Sequence, residues 1–231
     1  MRPLRLLTWN VAGLPDPEAA ARVLRAARAD VVCLQEVSRR AGSVYRISAL
    51  ARAANLLFVA GGRASAGTAL LGSFAASFSD VSAFRLPVPG RPVPGRARVP
   101  RGTVVASVRL PGTAAVRVAA VHLPLLADLR LRHVSVIREA LVRNGSGVVL
   151  AGDLNERPGG RAWTALSTFL DDPAPGAAPT YPARSPSTRI DVVLARGVEV
   201  AAYDVERFDQ PDVARASDHR PVLTEIALLS S

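Results

Sequence analysis

The chain has 231 residues, of which 49% are hydrophobic and 21% charged, and this composition excludes a disordered chain. The single cysteine, Cys33, excludes an intramolecular disulfide and a Cys₄ or Cys₂His₂ zinc site. The net charge of +10 rests on 29 cationic residues, all of them arginine, and it favours an anionic partner without identifying one.

Short apolar strands alternate with amphipathic helices along the chain. We predict strand 4–10, helix 17–28, strand 31–34, helix 44–54, strands 56–60, 67–72, 103–110 and 114–121, helix 126–142, strand 148–151, helix 161–170, and strands 190–194, 198–203 and 221–228. Asp16 before Pro17 is a typical helix N-cap, and Gly112-Thr113 predicts a hairpin turn. Several strands follow one another without a helix, which indicates one α/β domain over residues 1–231 with more than one sheet.

Two segments rich in proline are predicted to be loops. Residues 87–102 repeat prolines and glycines and carry arginines without any acid, and residues 171–187 are rich in proline and alanine. The arginines of the first segment either form a basic surface that binds phosphate, or they belong to a solvent-exposed loop and reflect only the biased composition of the chain. No apolar run reaches the ~18 residues of a membrane span, so we expect no such span and a cytoplasmic location. Nothing in the sequence indicates an obligate protein partner.

Polar residues repeatedly stand at the ends of the apolar strands. The residues in these places are Asn10, Glu36, His122, Asp153, Asn155, Asp191, Asp218 and His219. A carboxylate, amide or imidazole at the end of a buried strand is costly unless it faces a solvated site. We therefore expect these side chains to converge on one cleft.

The residue types in this set indicate metal-assisted hydrolysis. Carboxylate and amide oxygens are hard ligands that select Mg²⁺, Mn²⁺ or Ca²⁺ over zinc. His122 and His219 can transfer protons or stabilise an oxyanion near neutral pH. The sequence has neither a Gly-x-Ser-x-Gly elbow nor a Gly-x-x-x-x-Gly-Lys loop. Attack of water on a phosphoester fits this combination.

Six motifs in order carry a resemblance to a known family. They are Thr8-Trp9-Asn10, Leu34-Gln35-Glu36, Val121-His122-Leu123, Gly152-Asp153-Leu154-Asn155, Arg189-Ile190-Asp191 and Ser217-Asp218-His219-Arg220-Pro221-Val222. Together they resemble the endonuclease/exonuclease/phosphatase superfamily, the metal-dependent enzymes similar to deoxyribonuclease I. The resemblance implies an α/β four-layer sandwich, in which two packed, mostly antiparallel sheets are flanked by helices and the site lies at the strand ends.

The resemblance also implies a metal site and a proton-transfer pair. Glu36 is expected to be the main Mg²⁺ ligand, helped by Asn10 and Asp218, with Mn²⁺ able to substitute. Asp191 is expected to orient His219. His219 is then expected to act as general base on the attacking water or as donor to the phosphate, and both assignments stay open.

Further residues are assigned to the phosphate by the same resemblance. Asp153 is the alternative general base, and Asn155 is expected to donate to a nonbridging phosphate oxygen. His122 is expected to stabilise the phosphate or the leaving oxygen. The acid that orients this histidine in deoxyribonuclease I has no counterpart here, and this favours simple phosphate binding. Independently of the resemblance, Arg101 is a candidate phosphate contact because it stands at the end of the basic loop.

Three functions follow from this reading, and they differ in substrate or in activity. The first is a Mg²⁺-dependent phosphoesterase acting on a small molecule or a lipid headgroup. The second is a DNA endonuclease or exonuclease that holds the DNA backbone through arginines, with affinity that falls steeply with salt. The third is a catalytically silent binding module of the same fold, which would show no metal-dependent turnover.

Overall fold

The computed structural model describes residues 2–88, 99–142 and 147–228, which form two β-sheets covered by helices. The strands are β1 (Leu4–Asn10), β2 (Val31–Gln35), β3 (Leu57–Gly62), β4 (Thr68–Gly72), β5 (Ser77–Arg85), β6 (Gly102–Arg109), β7 (Val116–His122), β8 (Val148–Asp153), β9 (Asp191–Arg196), β10 (Glu199–Asp204) and β11 (Val222–Ala227). The helices are α1 (Pro17–Ala27), α2 (Ser43–Ala53), α3 (Ala127–Leu141), α4 (Arg161–Ser167) and α5 (Gln210–Ala216).

Each sheet is built around one parallel pair of strands. The 6-stranded sheet has the order β10-β11-β1-β2-β4-β3, and the 5-stranded sheet has the order β5-β6-β7-β8-β9. Strands β1 and β2 are parallel, as are β7 and β8, while the remaining neighbours run antiparallel. A parallel pair needs a crossover connection, and α1 and α3 supply it in the two sheets. The carboxyl ends of both parallel pairs carry predicted site residues.

Apolar side chains form three layers of core, which separate four layers of backbone. The middle layer lies between the sheets and includes Leu6, Cys33 and Val104. One outer layer packs the 6-stranded sheet against α1, α2 and α5, and the other packs the 5-stranded sheet against α3 and α4. This arrangement confirms the predicted four-layer α/β sandwich.

The predicted elements agree with the structure except at a few positions. The carboxylate of Asp16 caps α1 by accepting from the Ala19 amide at 2.9 Å. The sequence analysis missed β5, because it is a half-exposed edge strand with serines and a bulge between Ser79 and Ser82. It also missed α5, a helix of 7 residues. The connection between β6 and β7 forms the expected hairpin but is longer than a two-residue turn.

The predicted basic loop lies mostly outside the described residues. Its described ends are residues 87–88 and 99–102, and Gly102 already belongs to β6. The carbonyl of Arg101 accepts from the Leu86 amide at 2.9 Å, and this bond extends the pairing of β5 and β6. Across residues 2–88, 99–142 and 147–228, no helix combines the length and the apolar character needed to cross a membrane.

Candidate active site

Three predicted site residues lie in one row across the 5-stranded sheet. His122 pairs with Asp153 between β7 and β8, and Asp153 pairs with Asp191 between β8 and β9. The Nε2 of His122 lies 3.3 Å from the Oδ2 of Asp153. All three side chains are buried, and the two carboxylates are 1% and 0% exposed. The register of the sheet therefore brings two carboxylates and an imidazole together at one edge.

The 6-stranded sheet contributes Asn10 and Glu36 to the same edge. Asn10 ends β1 opposite Gln35, and Glu36 follows directly after β2. The Nδ2 of Asn10 donates to the Oδ2 of Asp153 at 3.0 Å, and this bond joins the two sheets. Glu36 adopts a left-handed backbone with φ 55°, and its carbonyl accepts from the Gly13 amide at 2.9 Å. Its carboxylate lies 3.8 Å from the Nε2 of His122.

The backbone of His219 is anchored on β1. The carbonyl of His219 accepts from the Nε1 of Trp9 at 2.8 Å, and its amide donates to the Oγ of Ser217 at 3.0 Å. The Ser217 hydroxyl in turn donates to the carbonyl of Asn10 at 2.6 Å. The Nδ1 of His219 meets the Oδ2 of Asp191 at 2.9 Å. His219 is thus held by the 6-stranded sheet through its backbone and by the 5-stranded sheet through its side chain.

The two histidines are driven toward opposite charge states. Burial lowers the pKa of His219, but the carboxylates of Asp191, Asp153 and Asp218 outweigh it and raise the pKa to about 9. Burial, with the charges of Arg101, His219 and Arg39, holds the pKa of His122 well below its usual range. At neutral pH these directions leave His219 positively charged and His122 neutral.

Asp153 is a buried carboxyl group that can hold a proton near neutral pH. Burial, together with the neighbouring charge of Asp191, raises the pKa of Asp153 to about 7. The amide of Asn155 donates to the Oδ1 of Asp153 at 2.8 Å, and Asn10 donates to its Oδ2. A carboxyl group with such a pKa can give or accept a proton near neutrality.

Asn155 and His122 form a pair beside Asp153. The Nδ2 of Asn155 donates to the carbonyl of Leu123 at 2.9 Å and lies 3.1 Å from the Nε2 of His122. The amide nitrogen of Asn155 is therefore in contact with two groups of the protein. A contact between Asn155 and a phosphate requires the exchange of one of these partners.

Arg101 and Asp218 lie at the two sides of the site. The guanidinium of Arg101 is 3.9 Å from the Oε1 of Glu36, and Arg101 is 7% exposed. Its Nε has no hydrogen-bond partner among the described residues. The carboxylate of Asp218 is 58% exposed and lies 4.0 Å from the Nε2 of His219. All nine predicted site residues thus belong to one contiguous cluster.

The donor set fits a divalent cation. Asp153, Asp191 and His219 each offer one atom, and these atoms all lie within 4.8 Å of one another. The Oδ1 of Asp191 is buried without a hydrogen-bond partner in the described part of the chain. Glu36 adds a half-exposed carboxylate to the same edge. Oxygen donors dominate this set, as Mg²⁺ requires.

Sequence reasoning missed Tyr181 and Thr180. The ring of Tyr181 lies 4.8 Å from the imidazole of His219, at an angle of 48°, and remains 37% exposed. The buried hydroxyl of Thr180 accepts from the amide of Asp191 at 3.2 Å. The available signal was a lone aromatic residue beside a proline, within a segment that otherwise has small side chains.

Two comparisons of the sequence with known proteins give different results. A family model described as "Endonuclease/Exonuclease/phosphatase family" matches residues 7–219. A comparison with curated proteins finds no match.

Solved structures of the family resemble the chain over nearly its whole length. An endonuclease/exonuclease/phosphatase from Beutenbergia cavernae is 25% identical, with a TM-score of 0.77 over 99% of this chain and 72% of that chain. A mannosyl-6-phosphatase from Bacteroides thetaiotaomicron is 16% identical, with a TM-score of 0.78 over 97% and 99%. TDP2 from D. rerio, complexed with a single-strand DNA product, is 19% identical, with a TM-score of 0.72 over 97% and 98%.

Proposed function

The chain belongs to the endonuclease/exonuclease/phosphatase family, and we propose that it is a Mg²⁺-dependent phosphoesterase that hydrolyses a phosphodiester or phosphomonoester by direct attack of water. The family and the fold indicate a hydrolase of phosphoester bonds. The observation that carries the finer proposal is the buried cluster of Asp153, Asp191 and His219, which His122 connects to Glu36. This cluster combines proton-transfer groups with hard oxygen donors in one place.

Glu36, Asn10 and Asp218 are proposed to hold the metal, and the neighbouring cluster of Asp153, Asp191 and His219, although it could also hold a cation, is proposed to handle the protons. Glu36 has a carboxylate that is open to the cleft, and Asn10, at the end of the neighbouring strand β1, has an amide oxygen that also accepts from the Ala12 amide at 3.0 Å. A bound divalent ion supplies positive charge that lowers the pKa of water and offsets charge on the phosphate. The chain's own residues then have to position the phosphate and move protons.

His219 and Asp191 are proposed to move the proton. Asp191 accepts from Nδ1 and fixes the ring, so Nε2 is the nitrogen that faces the reaction. The raised pKa of His219 favours Nε2–H as a donor to a phosphate oxygen, and the ring accepts the proton of the attacking water only in the form that has lost this proton. Asp153 is the alternative acceptor for the proton of the water. Asn155, His122 and Arg101 are proposed to face the phosphate and offset its developing charge.

A metal-controlled hydrolysis assay tests this function. The purified protein, stripped with EDTA, should hydrolyse bis(p-nitrophenyl) phosphate or p-nitrophenyl phosphate only after Mg²⁺ or Mn²⁺ is restored. His219→Ala and Asp153→Asn should each lower the rate by about 10²–10⁴-fold, the usual contribution of acid–base catalysis. Glu36→Gln should raise the Mg²⁺ concentration needed for half-maximal rate.

The matched control is Asp128→Asn, because the carboxylate of Asp128 is 90% exposed and pairs with the exposed Arg161, and it is none of the proposed site residues. Its rate should equal that of the unchanged protein. Near-normal turnover by folded His219→Ala or Asp153→Asn protein would contradict the role given to that residue. An unchanged Mg²⁺ titration would exclude Glu36 as the principal ligand.

A nuclease is the second candidate function, and the net charge of +10 favours it. Nicking of supercoiled plasmid with Mg²⁺, lost with EDTA and in His219→Ala, would identify a DNA substrate. Affinity for DNA should then fall steeply with salt, because phosphate contacts release counterions. Turnover of small phosphoesters without nicking would favour a metabolite or a lipid headgroup. Binding without any metal-dependent turnover would indicate a silent module.

A further inference from the structure

A cavity of about 370 Å³ lies beside Glu36, outside the cluster described above. Its lining residues are Ala12, Gly13, Glu36, Val37, Ser38, Arg39, Arg40 and Arg46. This set is called the arginine pocket below. Glu36 is the lining residue that also belongs to the proposed metal site, and the Gly13 amide beside it donates to the Glu36 carbonyl. The volume falls within the range of natural ligand sites, about 300–1,000 Å³.

The arginine pocket carries excess positive charge. Within the described ranges, Arg39, Arg40 and Arg46 have no carboxylate within 4.0 Å, and Glu36 is the one acid in the lining. All three residues are exposed, whereas Arg22 is matched with Asp212 at 2.7 Å. Three uncompensated guanidinium groups around one cavity are suited to an anion, and the planar fork of arginine matches phosphate.

The position of Arg39 depends on a glycine. Gly67 has φ +96°, and a Cβ built there would lie 2.9 Å from the Cγ of Arg39. The stem of Arg39 therefore packs closely against the backbone at Gly67. Its charge contributes to lowering the pKa values of His122 and Arg101, after burial. Arg39 is thus close enough to His122 for its charge to act on the site cluster.

We propose that the arginine pocket binds a second phosphate group of the substrate, distinct from the phosphate that is hydrolysed. The inference rests on the proposed function and narrows its substrate class to molecules with at least two phosphates. The scissile phosphate lies at the cluster of Asp153 and His219, and the second phosphate lies beyond Glu36. Such a second phosphate occurs in a small bisphosphate and in a nucleic acid strand.

A binding experiment without turnover tests the inference. The protein carrying His219→Ala, in EDTA, is titrated calorimetrically with adenosine 3′,5′-bisphosphate and with adenosine 5′-monophosphate. The bisphosphate should bind at least about tenfold more tightly, since hydrogen bonds to charged groups are the strong ones. Adding Arg40→Ala and Arg46→Ala should remove this preference. Arg39→Gln, which keeps most of the stem beside Gly67, should reduce it.

Arg52→Ala is the matched control, because Arg52 is an exposed arginine of the same helix α2 that does not line the pocket. It should keep the preference. An equal loss of preference in Arg52→Ala would overturn the inference, because general charge would then explain the binding. No preference in the parent protein would also overturn it, even where the hydrolysis assay succeeds.

A 5′-phosphorylated tetranucleotide of thymidine identifies the source of the second phosphate. If the tetranucleotide binds more tightly than the bisphosphate, and Arg40→Ala combined with Arg46→Ala removes this advantage, the pocket is supported and the substrate is a nucleic acid strand. If the tetranucleotide binds no more tightly than the bisphosphate, and the two substitutions still weaken binding of the bisphosphate, the pocket is supported and the substrate is a small molecule. Since these titrations need no catalysis, failure of the pocket and failure of the proposed hydrolysis are separate results.

Discussion

Hydrogen bonds to charged side chains hold individual residues of this chain in place, in the site and away from it. His219 is held from both sheets: Trp9 donates to the carbonyl of His219, and Asp191 bonds to its imidazole ring. Asp30 plays a comparable part in the structure. It accepts two bonds from Arg2 at 2.6 and 2.8 Å, and further bonds from the amide of Arg5 and the hydroxyl of Ser73. These bonds tie the start of β2 to its neighbours.

Asp30→Asn should make the stability of the protein depend less on pH. Burial raises the pKa of Asp30, but the bonds from Arg2, the Arg5 amide and Ser73 outweigh it, so the folded pKa lies below the unfolded value. A depressed pKa stabilises the folded state above the unfolded pKa of about 4, and this contribution is lost as the pH falls through the folded pKa. The variant should lose about 1–3 kcal/mol at pH 7 and less at pH 3, measured by urea unfolding.

The exposed Asp128 again provides the comparison, since Asp128→Asn should leave the unfolding free energy nearly unchanged. A deficit in Asp30→Asn that is the same at pH 3 and pH 7 would argue against this account. Packing of the side chain, and not its charge, would then be responsible.

Strand β8 shows how one element places several site residues. It lies between β7 and β9, so its last residue, Asp153, is flanked by His122 and Asp191. Gly152 precedes Asp153 and has φ 157°. A Cβ built at Gly152 would lie 1.9 Å from the carbonyl oxygen of Val121. The close approach of β7 and β8 at the site therefore requires glycine at this position.

Gly152→Ala should destabilise the protein and separate the site residues. The methyl group meets backbone that cannot move without breaking the β7–β8 ladder, so we expect a loss of at least about 2 kcal/mol in thermal or urea unfolding. Gly176→Ala is the control, because nothing lies within 4 Å of a Cβ built there. An unfolding curve for Gly152→Ala that coincides with the parent's would show that β7 and β8 can part without cost.

The whole molecule is held by the apolar layer between its two sheets. This layer consists of leucine, valine, alanine, isoleucine and cysteine among its buried members, and Leu70 of β4 is fully buried in it. Since the site takes Asn10 from one sheet and Asp153 from the other, its geometry depends on this packing.

Leu70→Ala should cost about 2–5 kcal/mol, the range for a large-to-small change in a close-packed core. Trp9 lies in the core of one sheet and Trp163 in that of the other, so tryptophan fluorescence reports on both. Fluorescence and circular dichroism transitions should coincide in urea and shift together. Leu125→Ala, at a residue 75% exposed, should shift neither. Transitions that separate would indicate that the two sheets unfold independently.

The sequence by itself determined the elements, the residue types and their chemistry. Its apolar periodicity predicted most strands and helices, because burial of one face of an element leaves a local pattern in the sequence. Strand β5 and helix α5 were not predicted, because that pattern is weak in them. The motifs identified the family and eight of the nine candidate site residues, and the ninth, Arg101, came from the basic loop. Their roles, and the single domain over residues 1–231, stay predictions.

Only the tertiary structure decided which of these groups meet. The bond between Asn10 and Asp153 joins residues 143 positions apart, and that between Trp9 and His219 spans 210. The contact of Tyr181 with His219 and the gathering of Arg39, Arg40 and Arg46 around one cavity have the same origin. The opposite pKa shifts of His122 and His219 also come from the tertiary structure, because each depends on burial and on neighbouring charges that folding brings close. Such proximities arise from sheet packing, which leaves no local signal along the chain.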